Sequence, residues 1–186
     1  MVIFYVIVDI TILQYNRQLF SIEPQFKDFQ FLKSAFEWLD NNTEKESVVL
    51  AMITRYDSIS NQVIISTDNL IPIYTNNNVY WSHHAQFYPI PSQEELQDRL
   101  YNFMYFIGVT SQKDFEEFTK TTAIPTSFEI YQKKLHRDLL SELKKYRINY
   151  LFYGPRERES FKINPETYSF LQKVYDDNIV KIYKIL

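Results

Sequence analysis

Apolar residues in this chain alternate between segments with helical spacing and short continuous runs. From Phe26 to Leu39 they recur every three or four residues, which is the spacing of one helix face. Between Ser47 and Thr54 they follow one another without a break, which is typical of a buried strand. This contrast continues to the carboxyl end. It predicts helices over 26–39, 93–106, 111–119, 126–146 and 164–176, and strands over 47–54, 63–65, 79–81, 148–153 and 179–185.

Polar residues mark where the predicted helices begin and end. Ser92 with Glu95, and Thr126 with Glu129, have the spacing of capping boxes. Gly108 follows the helix that Ser92 opens and is placed to end it. An Asn-Pro-Glu sequence at 164–166 supplies a cap and a proline at the first helical position, so we expect a helix to begin there.

Helices that alternate with strands predict an α/β fold. We expect a mostly parallel sheet flanked by helices, in a Rossmann-like three-layer arrangement, within one domain over 26–186. Residues 16–25 are polar and irregular and are predicted to be a linker. Lys181 and Lys184 interrupt the last strand with charge, which suits an edge position.

The amino-terminal segment allows two interpretations. Residues 1–13 are apolar except for Asp9 and Thr11, within a stub that we place at 1–15. This run is shorter than the roughly 20 residues of a membrane span, and it lacks the basic region of a signal peptide. It is either a buried strand or the end of a transmembrane helix.

Composition excludes several well-marked classes of enzyme. The chain has no cysteine, which excludes disulfides, thiolate metal sites and a cysteine nucleophile. With two glycines it cannot form a P-loop, a dinucleotide-binding loop or a nucleophile elbow. The formal charge of -3 and the absence of a basic footprint argue against binding of nucleic acid. We expect no cofactor.

One stretch of the chain gathers the residues that are most suited to a ligand pocket. Asp68 and Asn69 follow one short apolar run, and Trp81, His83 and His84 lie at the end of another. Open α/β sheets place their ligands at such carboxyl ends of strands. Asp68 also suits a helix N-cap, and the two histidines suit ordinary structural positions. Adjacent histidines point in different directions, so we predict no metal site.

Two basic features allow both a binding role and a structural one. Arg156 follows the strand over 148–153, where its planar guanidinium suits a phosphate or carboxylate. The alternative is a solvated loop in which Arg and Glu side chains pair with one another. The helix that contains Lys133, Lys134, Lys144 and Lys145 is predicted to have a solvated face, or to meet anionic head groups at a membrane.

Several motifs, taken in order, resemble one known family over about residues 26–186. They resemble the C-terminal soluble domain of large polytopic membrane proteins of the GT-C glycosyltransferase type, the mannosyltransferase-like group. The motifs are Phe36-Glu37-Trp38-Leu39, Val48-Val49-Leu50-Ala51, Asp68-Asn69 with Pro72, Val79-Tyr80-Trp81-Ser82-His83, Tyr150-Leu151-Phe152-Tyr153-Gly154-Pro155, Val174-Tyr175-Asp176-Asp177-Asn178 and Val180-Lys181-Ile182-Tyr183.

The resemblance implies a non-catalytic extracytoplasmic domain that helps to shape a lipid-linked sugar or acceptor site. It implies membrane association through the amino-terminal segment, with catalytic carboxylates in other parts of a larger protein. The alternative is a stand-alone cytoplasmic binding module in which residues 1–13 form a core strand. A hydrolase that uses Asp68 and His83 is a third hypothesis, but no nucleophile motif accompanies these residues.

Overall fold

The computed structural model describes residues 30–52, 55–57, 62–64, 67–81, 92–120, 122 and 124–186. The chain divides into two compact units, Met1–Ser34 and Ala35–Leu186. The predicted stub at 1–15 and linker at 16–25 lie outside the described residues. No helix in the described ranges has both the length and the apolar character needed to cross a membrane.

The described elements alternate between helices and strands along the chain. A 3₁₀ turn at Gln30–Leu32 precedes the first helix, and another at Pro165–Thr167 precedes the last hairpin. The elements are α1 (Lys33–Asn42), β1 (Val48–Leu50), β2 (Arg55–Asp57), β3 (Gln62–Ile64), α2 (Thr67–Tyr74), β4 (Asn78–Val79), α3 (Gln93–Phe106), α4 (Gln112–Thr119), α5 (Phe128–Gln132), α6 (Leu139–Lys145), β5 (Ile148–Tyr153), α7 (Pro155–Ser160), β6 (Leu171–Asp176) and β7 (Lys181–Ile185).

Five strands form one mixed sheet in the order β4-β1-β5-β7-β6. The α/β class is therefore confirmed, but the sheet is not mostly parallel. The pairs β4–β1 and β1–β5 are parallel, whereas β5–β7 and β7–β6 are antiparallel. Strands β2 and β3 form a separate antiparallel pair.

The antiparallel half arises because residues 164–176 do not form the predicted helix. The Asn164 cap and Pro165 begin a 3₁₀ turn that ends at Thr167, and β6 follows it. A tight turn through Asp177 then joins β6 to β7, and strands joined in this way must be antiparallel.

Lys181 and Lys184 led us to expect the last strand at an edge of the sheet, and this prediction was wrong. β7 lies between β5 and β6, and the edge strands of the described sheet are β6 and β4. The charge of Lys181 is accommodated because its Nζ donates to Glu166 Oε1 at 3.0 Å and Asp176 lies opposite it in the strand pair. Acidic partners therefore offset the charge of Lys181 in a strand that is not at an edge.

The helix predicted over 126–146 is two helices, α5 and α6. Ser127 rather than Thr126 caps α5, since its hydroxyl accepts from the amide of Ile130. Asp138 caps α6 by accepting from the amide of Ser141 at 2.8 Å. In contrast, the predicted Ser92 cap of α3 is confirmed, and Ser111 caps α4 at the predicted start of that helix.

Helices pack on both faces of the sheet because neighbouring residues of each strand point to opposite sides. On one side Phe152 of β5 stacks on Phe36 of α1, with ring centroids 5.8 Å apart. On the other side Leu151 joins a large buried cluster with Phe103 and Tyr131. This cluster is rich in aromatic rings, in keeping with the fifteen Phe and fifteen Tyr of the sequence, and such rings bury a large apolar area each.

Candidate functional site

The three parallel strands β4, β1 and β5 end at one edge of the sheet, and polar groups gather there. Met52 follows β1, Trp81 follows β4, and Gly154 follows β5 and precedes α7. This is the edge at which α/β sheets bind ligands, because the backbone that leaves each strand opens a crevice. We call it the carboxyl edge.

Glu157, in the first turn of α7, holds the carboxyl edge together. It is 1% exposed. Its Oε1 accepts from the amide of Met52 at 3.0 Å, and its Oε2 accepts from the amide of Gly154 at 3.1 Å. The side chain of Thr67, at the start of α2, hydrogen-bonds to the same carboxyl. One buried side chain thus links the ends of β1 and β5 to α2.

Burial and hydrogen bonding act in opposite directions on the ionisation of Glu157. Burial raises the pKa of its carboxyl above the ordinary value, although the hydrogen bonds from Met52, Thr67 and Gly154 oppose this shift. The donors around it already occupy both oxygens. The arrangement therefore suits a group that fixes the geometry of the edge, rather than a nucleophile or base that is open to a substrate.

Glu157 was not predicted as a site residue, because residues 153–159 were interpreted as a charged loop. The pattern that identifies it is a helix start in which Gly154 is the N-cap, Pro155 the first helical residue and Glu157 the third. A glutamate at that position reaches back to the amide of the N-cap residue, as in a capping box.

Asp68 lies at the same edge but does not cap α2, because the helix begins one residue earlier, at Thr67. Its amide donates to the carbonyl oxygen of Met52 at 3.1 Å, so both Asp68 and Glu157 adjoin the end of β1. Asp68 is fully buried, and Asn69 is half-buried beside it. A carboxylate in the first turn is favoured by the positive end of the helix dipole.

Of the other predicted site residues, Trp81 lies in the core and Arg156 lies at the carboxyl edge. Trp81 is 3% exposed and packs edge-on against Phe103, with ring centroids 6.1 Å apart, so its ring belongs to the core. Arg156 is half-buried in α7, next to Glu157. His83 and His84 lie outside the described residues. The structure thus brings Asp68, Asn69 and Arg156 to one edge, and it places the Trp81 ring beneath the surface.

No set of histidine and carboxylate side chains within the described ranges is grouped as a metal site would require.

A cavity of about 640 Å³ lies at the opposite edge, where Lys144, Arg147 and Glu46 surround the amino ends of β1 and β5. Glu46 and Arg147 have φ of 65° and 55°, which are left-handed values that non-glycine residues seldom adopt.

Comparisons with protein-family models, with curated proteins and with solved structures found no match to this chain. Any assignment of function therefore depends on the residues and the geometry described above.

Proposed function

We propose that the chain is a non-catalytic, extracytoplasmic α/β domain of a membrane glycosyltransferase-like protein. In this proposal its carboxyl edge contributes to the site for a lipid-linked sugar or for the acceptor. We also propose that the fold is Rossmann-like, with the sheet between two layers of helices. The observation that supports it best is the position of Asp68, Asn69 and Arg156 on elements that begin at the carboxyl edge.

These side-chain types suit the chemistry of a lipid-linked sugar. Sugar hydroxyls both donate and accept hydrogen bonds, and the side-chain amide of the half-buried Asn69 has groups of both kinds, whereas the fully buried Asp68 belongs to the support of the site. A lipid-linked sugar also carries phosphate, which the planar guanidinium of Arg156 recognises with two parallel hydrogen bonds.

A non-catalytic role is supported by how the acidic groups are held. Glu157 is enclosed, and its oxygens are occupied by backbone amides. Asp68 is also fully buried. General acid–base catalysis needs a carboxyl within hydrogen-bond reach of the substrate and with a free oxygen, so these two groups suit support of a site more than proton transfer.

Binding of a polyprenyl phosphate in detergent micelles tests the proposal, with detergent alone as the blank. We expect the whole chain to bind, and Arg156→Gln to weaken binding about tenfold, because a charge-assisted pair to phosphate is lost. The matched control is Arg147→Gln, at the opposite edge, which should bind as the wild type does. No binding by the wild type, or equal effects of the two substitutions, would contradict the proposal.

A further inference from the structure

A second cavity, of about 360 Å³, lies beside the edge strand β4. Its apolar part is formed by Val48 and Val79, and its polar part by Tyr80, Asp98 and Tyr146 with the Glu95–Arg99 pair. The volume lies within the range of about 300–1,000 Å³ that small-ligand sites occupy. We call it the β4 cavity.

A buried lysine fixes the polar wall of the β4 cavity. Lys134, predicted from sequence to be solvated, is only 6% exposed. Its Nζ donates to Asp98 Oδ1 at 2.7 Å and to Asn102 Oδ1 at 2.6 Å. The Asn102 amide in turn donates to Asp98 Oδ2 at 2.9 Å and to the Tyr146 hydroxyl at 2.6 Å. Asp98 and Tyr146 are therefore positioned before any ligand arrives.

The charges around the β4 cavity cancel in pairs. Lys134 pairs with Asp98, and Arg99 Nη2 lies 2.7 Å from Glu95 Oε1. An ion that entered would meet one positive and one negative charge in each pair and would lose its own hydration. The electrostatics therefore favour a neutral ligand.

Hydrogen-bonding capacity remains unused at this wall. The hydroxyl oxygen of Tyr80 is buried and makes no hydrogen bond within the described part of the chain. The side chain of Asn102 interacts with this hydroxyl and opposes the effect of burial on its pKa, but the Asn102 amide nitrogen directs its hydrogen bonds to Asp98 and Tyr146. Burial raises the pKa of Tyr80, so its hydroxyl keeps its proton. Asp98, which is half-exposed, accepts three hydrogen bonds and has about four lone-pair positions.

Two tyrosine rings give the cavity a rigid aromatic side. The rings of Tyr80 and Tyr146 meet edge to face, with centroids 5.6 Å apart, and both pack on Phe106. An aromatic face beside a fixed carboxylate and hydroxyl suits a molecule with apolar C–H groups on one side and hydroxyls on its rim.

We propose that the β4 cavity binds a neutral polyhydroxylated ligand, a mono- or disaccharide. The aromatic side contacts the C–H face of a sugar ring, and Asp98 and Tyr146 hydrogen-bond to its hydroxyls. This inference does not depend on the proposed function, because it uses none of Asp68, Asn69 and Arg156.

The test is NMR of the tyrosine rings of the whole chain. The probes are the methyl glycosides of mannose, glucose, galactose and N-acetylglucosamine, with tetramethylammonium chloride and sodium phosphate as charged probes. We expect at least one glycoside to shift the Tyr80 and Tyr146 resonances in a saturable manner, and neither charged probe to do so.

Asp98→Asn is the decisive variant. It keeps the shape of the side chain but removes the charge that accepts the sugar hydroxyls, so it should weaken glycoside binding about tenfold at a temperature at which both proteins are folded. The control is Tyr80→Phe, which removes a buried hydroxyl that the ligand does not touch and should bind as the wild type does. The proposal is overturned if no glycoside shifts the two rings, if Asp98→Asn binds like the wild type, or if a charged probe binds instead.

Discussion

At the scale of single residues, Glu157 is the side chain on which the carboxyl edge depends most. Glu157→Gln keeps one acceptor oxygen but turns an NH₂ group toward a backbone amide that now has no acceptor. Because a buried unsatisfied donor costs about 1–3 kcal/mol, we expect the free energy of unfolding to fall by that amount. Urea unfolding measures it, and Glu159→Gln, an exposed change on the same helix, is the control. Equal stabilities of the two variants would contradict this role.

Asp98 is expected to stabilise the fold in a pH-dependent way. Burial raises its pKa, but the hydrogen bonds from Lys134, Tyr146 and Asn102 and the lysine charge outweigh burial, so the pKa lies below the ordinary value. The resulting stabilisation is present above the ordinary aspartate pKa of about 3.9 and is lost as pH falls through the lower folded value.

Asp98→Asn should therefore lower the urea midpoint at neutral pH and have a much smaller effect in acid, where the wild-type carboxyl is protonated as well. The exposed change Glu94→Gln, on the same helix, is the control. An equal loss at both pH values would show that the ion pair contributes nothing to the pH dependence.

At the scale of elements, the ends of α3 and α6 predict substitutions with opposite effects. Gly108, after α3, has φ of 82°, and an added Cβ would lie 2.4 Å from Cγ2 of Ile163. Gly108→Ala should therefore destabilise the fold by about 2 kcal/mol or more, through strain and the clash. Arg147, after α6, has a left-handed φ without being glycine, so Arg147→Gly should stabilise by about 1 kcal/mol. Melting temperatures that move in the same direction would contradict this account.

Elements whose signals are local were predictable from the sequence. Ser92 and Ser111 cap helices through amides three residues away, and the strand over 148–153 was predicted at its observed bounds. The break between α5 and α6 was missed because Lys134 turns inward to partners 32 and 36 residues earlier in the chain. Strand β6 was missed for a similar reason, since a strong local helix start is overruled by pairing with β7.

The candidate site shows the same limit. The sequence located Asp68, Asn69 and Arg156 near strand ends, and the structure brings them to one edge. The sequence did not show that the Trp81 ring is enclosed by the core. It also did not show that Glu157 accepts a hydrogen bond from the amide of Met52, 105 residues away in sequence. Burial and long-range hydrogen bonds depend on packing, which residue spacing alone does not determine.

At the scale of the whole molecule, the division of the chain predicts the effect of a truncation. Ala35–Leu186 forms its own compact unit and contains all five strands of the described sheet. Removal of residues 1–15 should therefore leave circular dichroism and the urea midpoint unchanged, and it should raise solubility if the segment is the end of a membrane helix. Collapse of the truncated chain would instead support the interpretation of residues 1–13 as a core strand.

The central claim is that this chain is a domain of a membrane glycosyltransferase-like protein. It is tested most directly with an antibody against residues 35–186, applied to fractionated source cells, with cells that lack the gene as the control. We predict a band far above 22.5 kDa in the membrane fraction, since the chain itself has that mass. A soluble band at 22.5 kDa would contradict the claim and would support a stand-alone α/β binding module.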